Sequence, residues 1–216
     1  MSAGPLVREI GEFALIAALD DILPEAVRGS ERVRVGIGDD AATWGCAEGA
    51  TSVITTDTLV EGIHFRLDWT DWRSLGHKAL AVNLSDVAAM GAEPLLATIT
   101  LGLTGEERVA DLAEMYRGIA GLAEPHGVVV AGGDVVRSPG RLVLSVTVVG
   151  ETQRALLRSG ARVGDRIVVS GTLGAAAAGM RVLEQGGSGA HTAELLVAAH
   201  LRPQPRLALG RLLAAG

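Results

Sequence analysis

A chain of 216 residues, 48% apolar and 20% charged, carries enough aliphatic material for one large or two modest packed domains, which excludes disorder along its whole length. A net charge of −6 leaves no surplus of Lys and Arg to neutralise a phosphate backbone, so the chain does not read as a nucleic-acid binder. Uninterrupted apolar runs of about 18 residues, a basic-then-apolar leader and any cysteine beyond Cys46 are all missing, which argues against a membrane span, a secretory signal, a disulfide and a multi-cysteine metal site; a cytoplasmic protein is expected.

From the N-terminus, Ile10, Phe13, Ala14 and Ala17 recur at helical spacing and predict an amphipathic helix over residues 5–23, stopped by Pro24. Residues 32–37 alternate into Gly38-Asp39-Asp40, and residues 52–56 run into Asp57, giving two expected strands that end in carboxylates. Ser74 reads as the cap of a helix reaching Met90, with Gly91 at its stop and Pro94 beyond. Residues 95–101 are strand-like, and Thr104-Gly105-Glu106-Glu107 reads as a capping box opening a helix that stacks Val109, Leu112, Tyr116, Ile119 and Ala123 on one face and ends at Gly127. Residues 128–130 lead into Gly132-Gly133-Asp134, and residues 142–149 alternate as a further strand.

After Gly150 the texture changes. Arg154, Arg158 and Arg162 cluster, residues 166–170 predict a strand, and Gly171-Thr172-Leu173-Gly174 predicts a turn. An Ala-rich helix over residues 175–184, a Gly-Ser loop at 186–189 and helical stretches from Thr192 and Pro205 follow. This order predicts an α/β (α+β) fold. A mixed-sheet domain with helices is expected over residues 1–150, and a second α/β domain over residues 151–216, partial because a single strand makes no sheet of ordinary size.

Aspartates recur at expected strand ends and Gly turns: Asp39, Asp40, Asp57 and Asp134, with Asp86 on a mostly apolar helix. Any one of them also suits a turn or a cap. Asp86 is the most telling, since an unpaired buried carboxylate needs a partner or a cation, and Asn83 on the same helix face is placed to share that role. Dispersed aspartates suit magnesium, which takes one or two carboxylates, keeps waters and binds substrate phosphates. Gly36-Ile37-Gly38 and Gly132-Gly133 would let backbone N–H groups approach phosphate oxygens. Neither GxxxxGK[ST] nor GxGxxG occurs, so a P-loop and a dinucleotide fingerprint are both unsupported.

Three longer segments carry a specific resemblance: Gly38-Asp39-Asp40-Ala41-Ala42, Thr55-Thr56-Asp57-Thr58-Leu59-Val60-Glu61-Gly62-Ile63-His64-Phe65 and Lys78-Ala79-Leu80-Ala81-Val82-Asn83-Leu84-Ser85-Asp86. They resemble the thiamine-monophosphate kinase family of the aminoimidazole-ribonucleotide synthetase superfamily. Gly11-Glu12-Phe13, Gly132-Gly133-Asp134, Arg158-Ser159-Gly160-Ala161-Arg162, Gly171-Thr172-Leu173-Gly174 and His200-Leu201-Arg202-Pro203 extend the match. The resemblance implies ATP as co-substrate, several Mg2+ ions, thiamine monophosphate as phosphoryl acceptor, a homodimer paired through the N-terminal domain, and no protein nucleophile. It also implies magnesium ligation by Asp40, Thr55, Thr56, Asp57, Asp86 and Asp134, substrate contact by His64, and ATP contact by Tyr116, Gly133, Asp134 and Arg158. By periodicity alone Tyr116 fits core packing equally well, and His64 fits a satisfied surface residue. The family's later Asp-x-Ser-Asp-Gly-Leu motif is not present, so a fragment or a shortened relative is expected. A nucleotide-binding or dimerisation module without turnover is the rival reading.

Overall fold

The computed structural model describes residues 4–38, 41–187 and 191–216. The chain opens with two helices, α1 (Val7–Ile10) and α2 (Glu12–Asp20), where one was expected. Gly11 between them adopts φ +75°, a left-handed conformation that helix cannot pass through and that glycine accepts without strain. A short helix α3 (Glu25–Arg28) follows Pro24. Two brief strands, β1 (Val33–Val35) and β2 (Thr43–Trp44), then pair antiparallel as an arm.

The main sheet contains β3 (Thr51–Val60), β4 (Glu93–Leu103), β5 (Val129–Arg137) and β6 (Val143–Thr152) in the order β3-β6-β4-β5. Only β4 and β5 run parallel; the other pairings are antiparallel, so the sheet is mixed as expected. The expected strand over residues 52–56 is longer than its Thr-rich core suggested. Thr58 and Val60 are β-branched and continue the ladder to Val143, so Asp57 lies inside β3 instead of at its end. Asp134 likewise lies within β5.

Helices α4 (Trp72–Ala89) and α5 (Val109–Ala123) cover one face of the sheet. Alternation sends Leu59, Leu144, Val146, Val148, Ile99 and Leu101 into that layer, where they pack with Leu75, Leu80, Leu84, Leu112, Met115 and Ile119. The two helices meet through glycines: a Cβ at Gly76 would overlap the Met115 carbonyl, and one at Gly118 would overlap that of Arg73. Asp71, not Ser74, caps α4; its carboxylate accepts from the Ser74 backbone N–H and hydroxyl, both at 2.7 Å. Glu107 closes the expected box by accepting from the Thr104 and Gly105 backbone N–H groups, but the chain bends once more before α5 begins.

On the other face the arm covers one end only, through a small cluster of Val33, Leu96, Val129, Ala131 and Val149 with Ala42 against it. The remainder of that face is a run of hydroxyls in register. Thr56, Thr147 and Thr98 form one cross-strand row, and Thr58, Ser145 and Thr100 the next. Thr147 donates to Thr56 at 3.0 Å, and the hydroxyls of Thr58 and Ser145 lie 2.9 Å apart.

Beyond β6 the described residues contain no strand: a short 3-10 turn (Arg158–Gly160) precedes the helices α6 (Ala175–Glu184), α7 (His191–Leu201) and α8 (Leu207–Ala215). The strand expected over residues 166–170 does not form. Ile167, Val168 and Val169 are exposed, with no neighbouring strand in the described residues to receive their backbone hydrogen bonds. α8 returns to α4, where a Cβ at Gly210 would overlap the Ala88 carbonyl. The imidazole Nε2 of His77 lies 2.9 Å from the Pro203 carbonyl oxygen and joins α4 to the α7–α8 connection.

Candidate functional site

A cavity of about 690 Å³ lies along the outer edge of β5. Gly132, Gly133 and Asp134 form its floor, Thr98 and Thr100 extend it across β4, and Gly36, Ile37, Gly38, Ala41 and Ala42 from the arm enclose it. Phe13, Ile16 and Asp20 of α2 form a further wall, and Tyr116 enters from α5. The close approach is possible because residue 133 lacks a side chain: a Cβ there would overlap the Ile99 carbonyl, next to the register irregularity at Ala97 and Thr98. Burial pushes the Tyr116 phenol well above its ordinary value, so it is neutral across the working pH range. Tyr116 is both a core residue and a cavity residue, which accommodates both of its sequence readings.

Thr55 and Asp86 meet on the helical side of the sheet. The Thr55 hydroxyl donates to the Asp86 carboxylate at 2.7 Å. Asp57, two residues on, is on the same face as Thr55 and half-buried. The expectation of a buried Asp86 is overturned: Asp86 is exposed, and the buried polar residue of this helix is Asn83. Asn83 donates to the Ala79 carbonyl at 3.1 Å, its Oδ1 has no partner among the described residues, and it makes no hydrogen bond to Asp86. The helical turn places residue 83 toward the interior and residue 86 at the sheet's margin. Sequence spacing alone does not resolve that 60° difference from true superposition.

The remaining expected residues are scattered. Thr56 points to the opposite face from Thr55 and Asp57, donating to the Val146 carbonyl at 3.2 Å. Asp134 is exposed on that opposite face and on the far edge strand. Three strand spacings, about 14 Å, separate β5 from β3. His64 is exposed in the turn after β3, its Nδ1 accepting from the Val60 backbone N–H at 3.0 Å; Lys78 donates to the His64 carbonyl at 3.3 Å. Arg158 is exposed in a short 3-10 turn and does not line the cavity. Asp40 lies outside the described residues. No group of three or more His, Cys, Asp or Glu among the described residues is placed to hold a metal ion. A smaller oxygen set does exist, in Thr55, Asp57 and Asp86 along one margin.

Thr98 and Thr100 line the cavity and were not singled out from sequence, whereas Phe13 and Ile37 were named only within longer segments. The signal for the threonines was present in their alternation with Ile99 and Leu101, which marks a strand with a polar second face. Phe13 is 85% exposed because Leu15 and Leu19 take the core-facing side of α2, in place of the expected stripe of Ile10, Phe13, Ala14 and Ala17.

Among the described residues no helix is long and apolar enough to cross a membrane. Residues 38–152 match the family described as AIR synthase related protein, N-terminal domain. The thiamine-monophosphate kinase of Bacillus subtilis (strain 168) is 37% identical over 206 residues, covering 93% of this chain and 62% of that protein. The crystal structure of the thiamine-monophosphate kinase from Stenotrophomonas maltophilia K279a superposes with a TM-score of 0.79 at 39% identity, covering 95% of this chain and 65% of that one. A structure of AaThiL complexed with AMPPCP and TMP superposes with a TM-score of 0.74 at 34% identity, covering 96% and 64%. The chain therefore spans a little under two thirds of the length of the relatives it matches. With its mixed sheet, its glycine-floored cavity and a match over more than half its length, the chain belongs to the AIR synthase related family and is similar within it to thiamine-monophosphate kinases.

Proposed function

We propose that this chain is the ATP-handling part of a thiamine-monophosphate kinase. The observation that carries the reading is the convergence of Gly133, Asp134 and Tyr116 with the Gly36–Gly38 turn around one cavity of nucleotide size. The similarity to a protein solved with AMPPCP, an ATP analogue, and TMP supports it. In this reading residues 1–150 bind nucleotide and metal and form the dimer, and residues 151–216 belong to a second domain. The agreement of that boundary with the end of the family match at residue 152 supports the division.

In the reaction, an oxygen of the thiamine monophosphate phosphate attacks the γ-phosphorus of ATP, the bond from that phosphorus to the β,γ-bridging oxygen breaks, and thiamine diphosphate and ADP result. The acceptor is already an anion, so no side chain needs to become a nucleophile; the difficulty is to bring two polyanions together in line. The Thr55, Asp57 and Asp86 margin suits Mg2+, being two carboxylates and a hydroxyl with room for water and phosphate oxygens, and the ion when bound would offset phosphate charge. Asp134 and Asp40 belong to the same proposed ligand set. The backbone N–H groups at the glycine floor approach phosphate without a side chain between, and Tyr116, held neutral, offers a hydroxyl and an apolar ring without adding negative charge. His64 is proposed on the acceptor side and Arg158 on the phosphate side. Each would have to be brought to the cavity by the other domain, by a second copy or by closure.

The test is calorimetric titration with Mg-AMPPCP, together with chromatographic assay of thiamine diphosphate from ATP and thiamine monophosphate. Saturable magnesium-dependent binding and product formation are expected. Binding without product favours the module reading, and the absence of both sinks the nucleotide assignment.

A further inference from the structure

Gly36, Ile37, Gly38, Ala41 and Ala42 of the arm line the cavity, while the base of the arm sits at the opposite end of the sheet and is tied to it by a carboxylate. Glu151, near the end of β6 and 7% exposed, accepts from the Arg32 guanidinium at 2.5 Å and from the Ala47 backbone N–H at 2.9 Å. Arg32 in turn donates through Nε and Nη2 to the Gly45 carbonyl at 3.3 and 3.2 Å. The buried Glu151 side chain therefore touches both legs of the arm, residue 32 before β1 and residue 47 after β2, while Arg32 and Gly45 also bond each other directly, the Gly45 N–H donating to the Arg32 carbonyl at 2.8 Å. The hydrogen bond from Arg32 holds the Glu151 carboxyl below its ordinary range, so the pair is ionised.

The arm has little else to define it. β1 and β2 share two registered pairs, Val33 with Trp44 and Val35 with Thr43, with a register shift between them. A hairpin that short does not support itself in water, so its orientation follows from its ties to the sheet. The apolar tie is the small cluster around Val33 and Ala131. The polar ties are Glu151 and, beyond the end of β6, Gln153, which donates to the Glu48 carbonyl at 3.2 Å; of the two only Glu151 carries charge.

We propose that the Arg32–Glu151 pair is a positioning clamp that sets where the arm residues Gly36, Ile37, Gly38, Ala41 and Ala42 stand against the nucleotide cavity. This rests on the nucleotide reading of that cavity. Glu151 is six residues along β6 from Ser145, whose cross-strand row includes Thr100 and Asp134, a separation of about 20 Å. It cannot touch a ligand at Asp134 and acts only through the arm. Removing the Glu151 charge leaves the part-exposed Arg32 without its counter-ion and weakens the acceptor for the Ala47 N–H, so the base of the arm would loosen first and the lining residues it carries with it.

The experiment combines hydrogen exchange of the full chain, followed by mass spectrometry, with Mg-AMPPCP titration. Glu151→Gln keeps the shape and one acceptor but removes the charge. Arg32→Lys keeps the charge but loses the fork that reaches Gly45, and the exchanged pair Arg32→Glu with Glu151→Arg restores opposite charges. In Glu151→Gln, faster exchange across the arm is expected, with exchange in α4 and α5 unchanged and nucleotide affinity reduced roughly fivefold or more. Arg32→Lys should fall between this and the parent, and the exchanged pair should recover both readouts toward it. A merely structural role would lower global stability and speed exchange everywhere. Unchanged arm exchange in Glu151→Gln, or faster arm exchange at unchanged affinity, overturns the clamp. A parent chain that binds no nucleotide overturns the nucleotide reading instead.

Discussion

Thr55 and Asp86 are two ordinary polar residues, yet their 2.7 Å hydrogen bond ties an internal strand position to the last turn of α4. A hydroxyl already donated to a carboxylate oxygen leaves the second oxygen of Asp86 and the nearby Asp57 as acceptors for a cation. Because Asp86 is exposed, replacing it by Asn should change folding stability by less than about 1 kcal/mol. Its effect on magnesium-dependent nucleotide binding should be much larger, about tenfold for Asp86→Asn and for Asp57→Asn alike. Titrations with and without Mg2+ separate the two effects. Equal nucleotide affinity and equal magnesium dependence in parent and both variants would remove this margin from the metal site.

At the level of elements, α4 is the axis on which the other parts are assembled. It carries Asp86 at one end, packs against α5 through Gly76, receives α8 at Ala88, and offers His77 to the Pro203 carbonyl. His77 is buried, and burial pushes its pKa below the ordinary 6.5, with Arg202 adding to the shift; the bond to Pro203 works in the opposite direction. Burial lowers His126 and His200 in the same way. A base whose folded pKa is depressed takes up its proton more readily when unfolded. Its contribution is therefore present above about pH 6.5 and is lost as pH falls from there through the folded value. The urea midpoint should accordingly drop between about pH 7.5 and about pH 5.5, less steeply in His77→Gln. Glu151 does not confuse that window, since its carboxyl is held below its usual 4.5. A midpoint that is flat or rises on acidification would contradict the assignment.

Over the whole molecule, the uneven covering of the main sheet is the dominant feature. One face is buried under α4 and α5, and the other leaves two rows of hydroxyls open beside the arm, with Ile54 72% exposed at its margin. A sheet with an open face and unpaired outer edges is suited to pairing with a second copy, and this supports the proposed homodimer. It would also bear on the scattered aspartates, because β3 and β5 are opposite edges of one sheet and a second copy is a way to bring such edges together. Light scattering at tens of micromolar should give twice the chain mass, and Thr147→Arg, which puts a charge at the centre of the open face, should reduce it to the chain mass. A well-folded parent that scatters as a monomer would remove the pairing.

How much of this was legible beforehand differs by kind of feature. The longer strands and helices of the first 150 residues followed from local periodicity, because alternation and 3.6-residue repeats are imposed by which face of each element meets the core, whereas the short α3 and β2 were not expected and the opening helix proved to be two. The acidic and glycine-rich segments could likewise be read directly, since short-range chemistry resides in adjacent residues. Element ends were not legible: β3 runs past Asp57 because its partner β6 continues, and residues 166–170 form no strand because, among the described residues, no partner lies beside them. Whether Asp86 or Asn83 is buried was settled by how α4 is rotated against the sheet, a property of packing between elements distant in sequence. The division of Asp57 and Asp134 between opposite faces and edges has the same origin, as does the link from Glu151 to an arm more than a hundred residues earlier. Residue types state what chemistry a chain can perform. Strand order, register and helix rotation, which depend on contacts no local window contains, decide which of those residues meet.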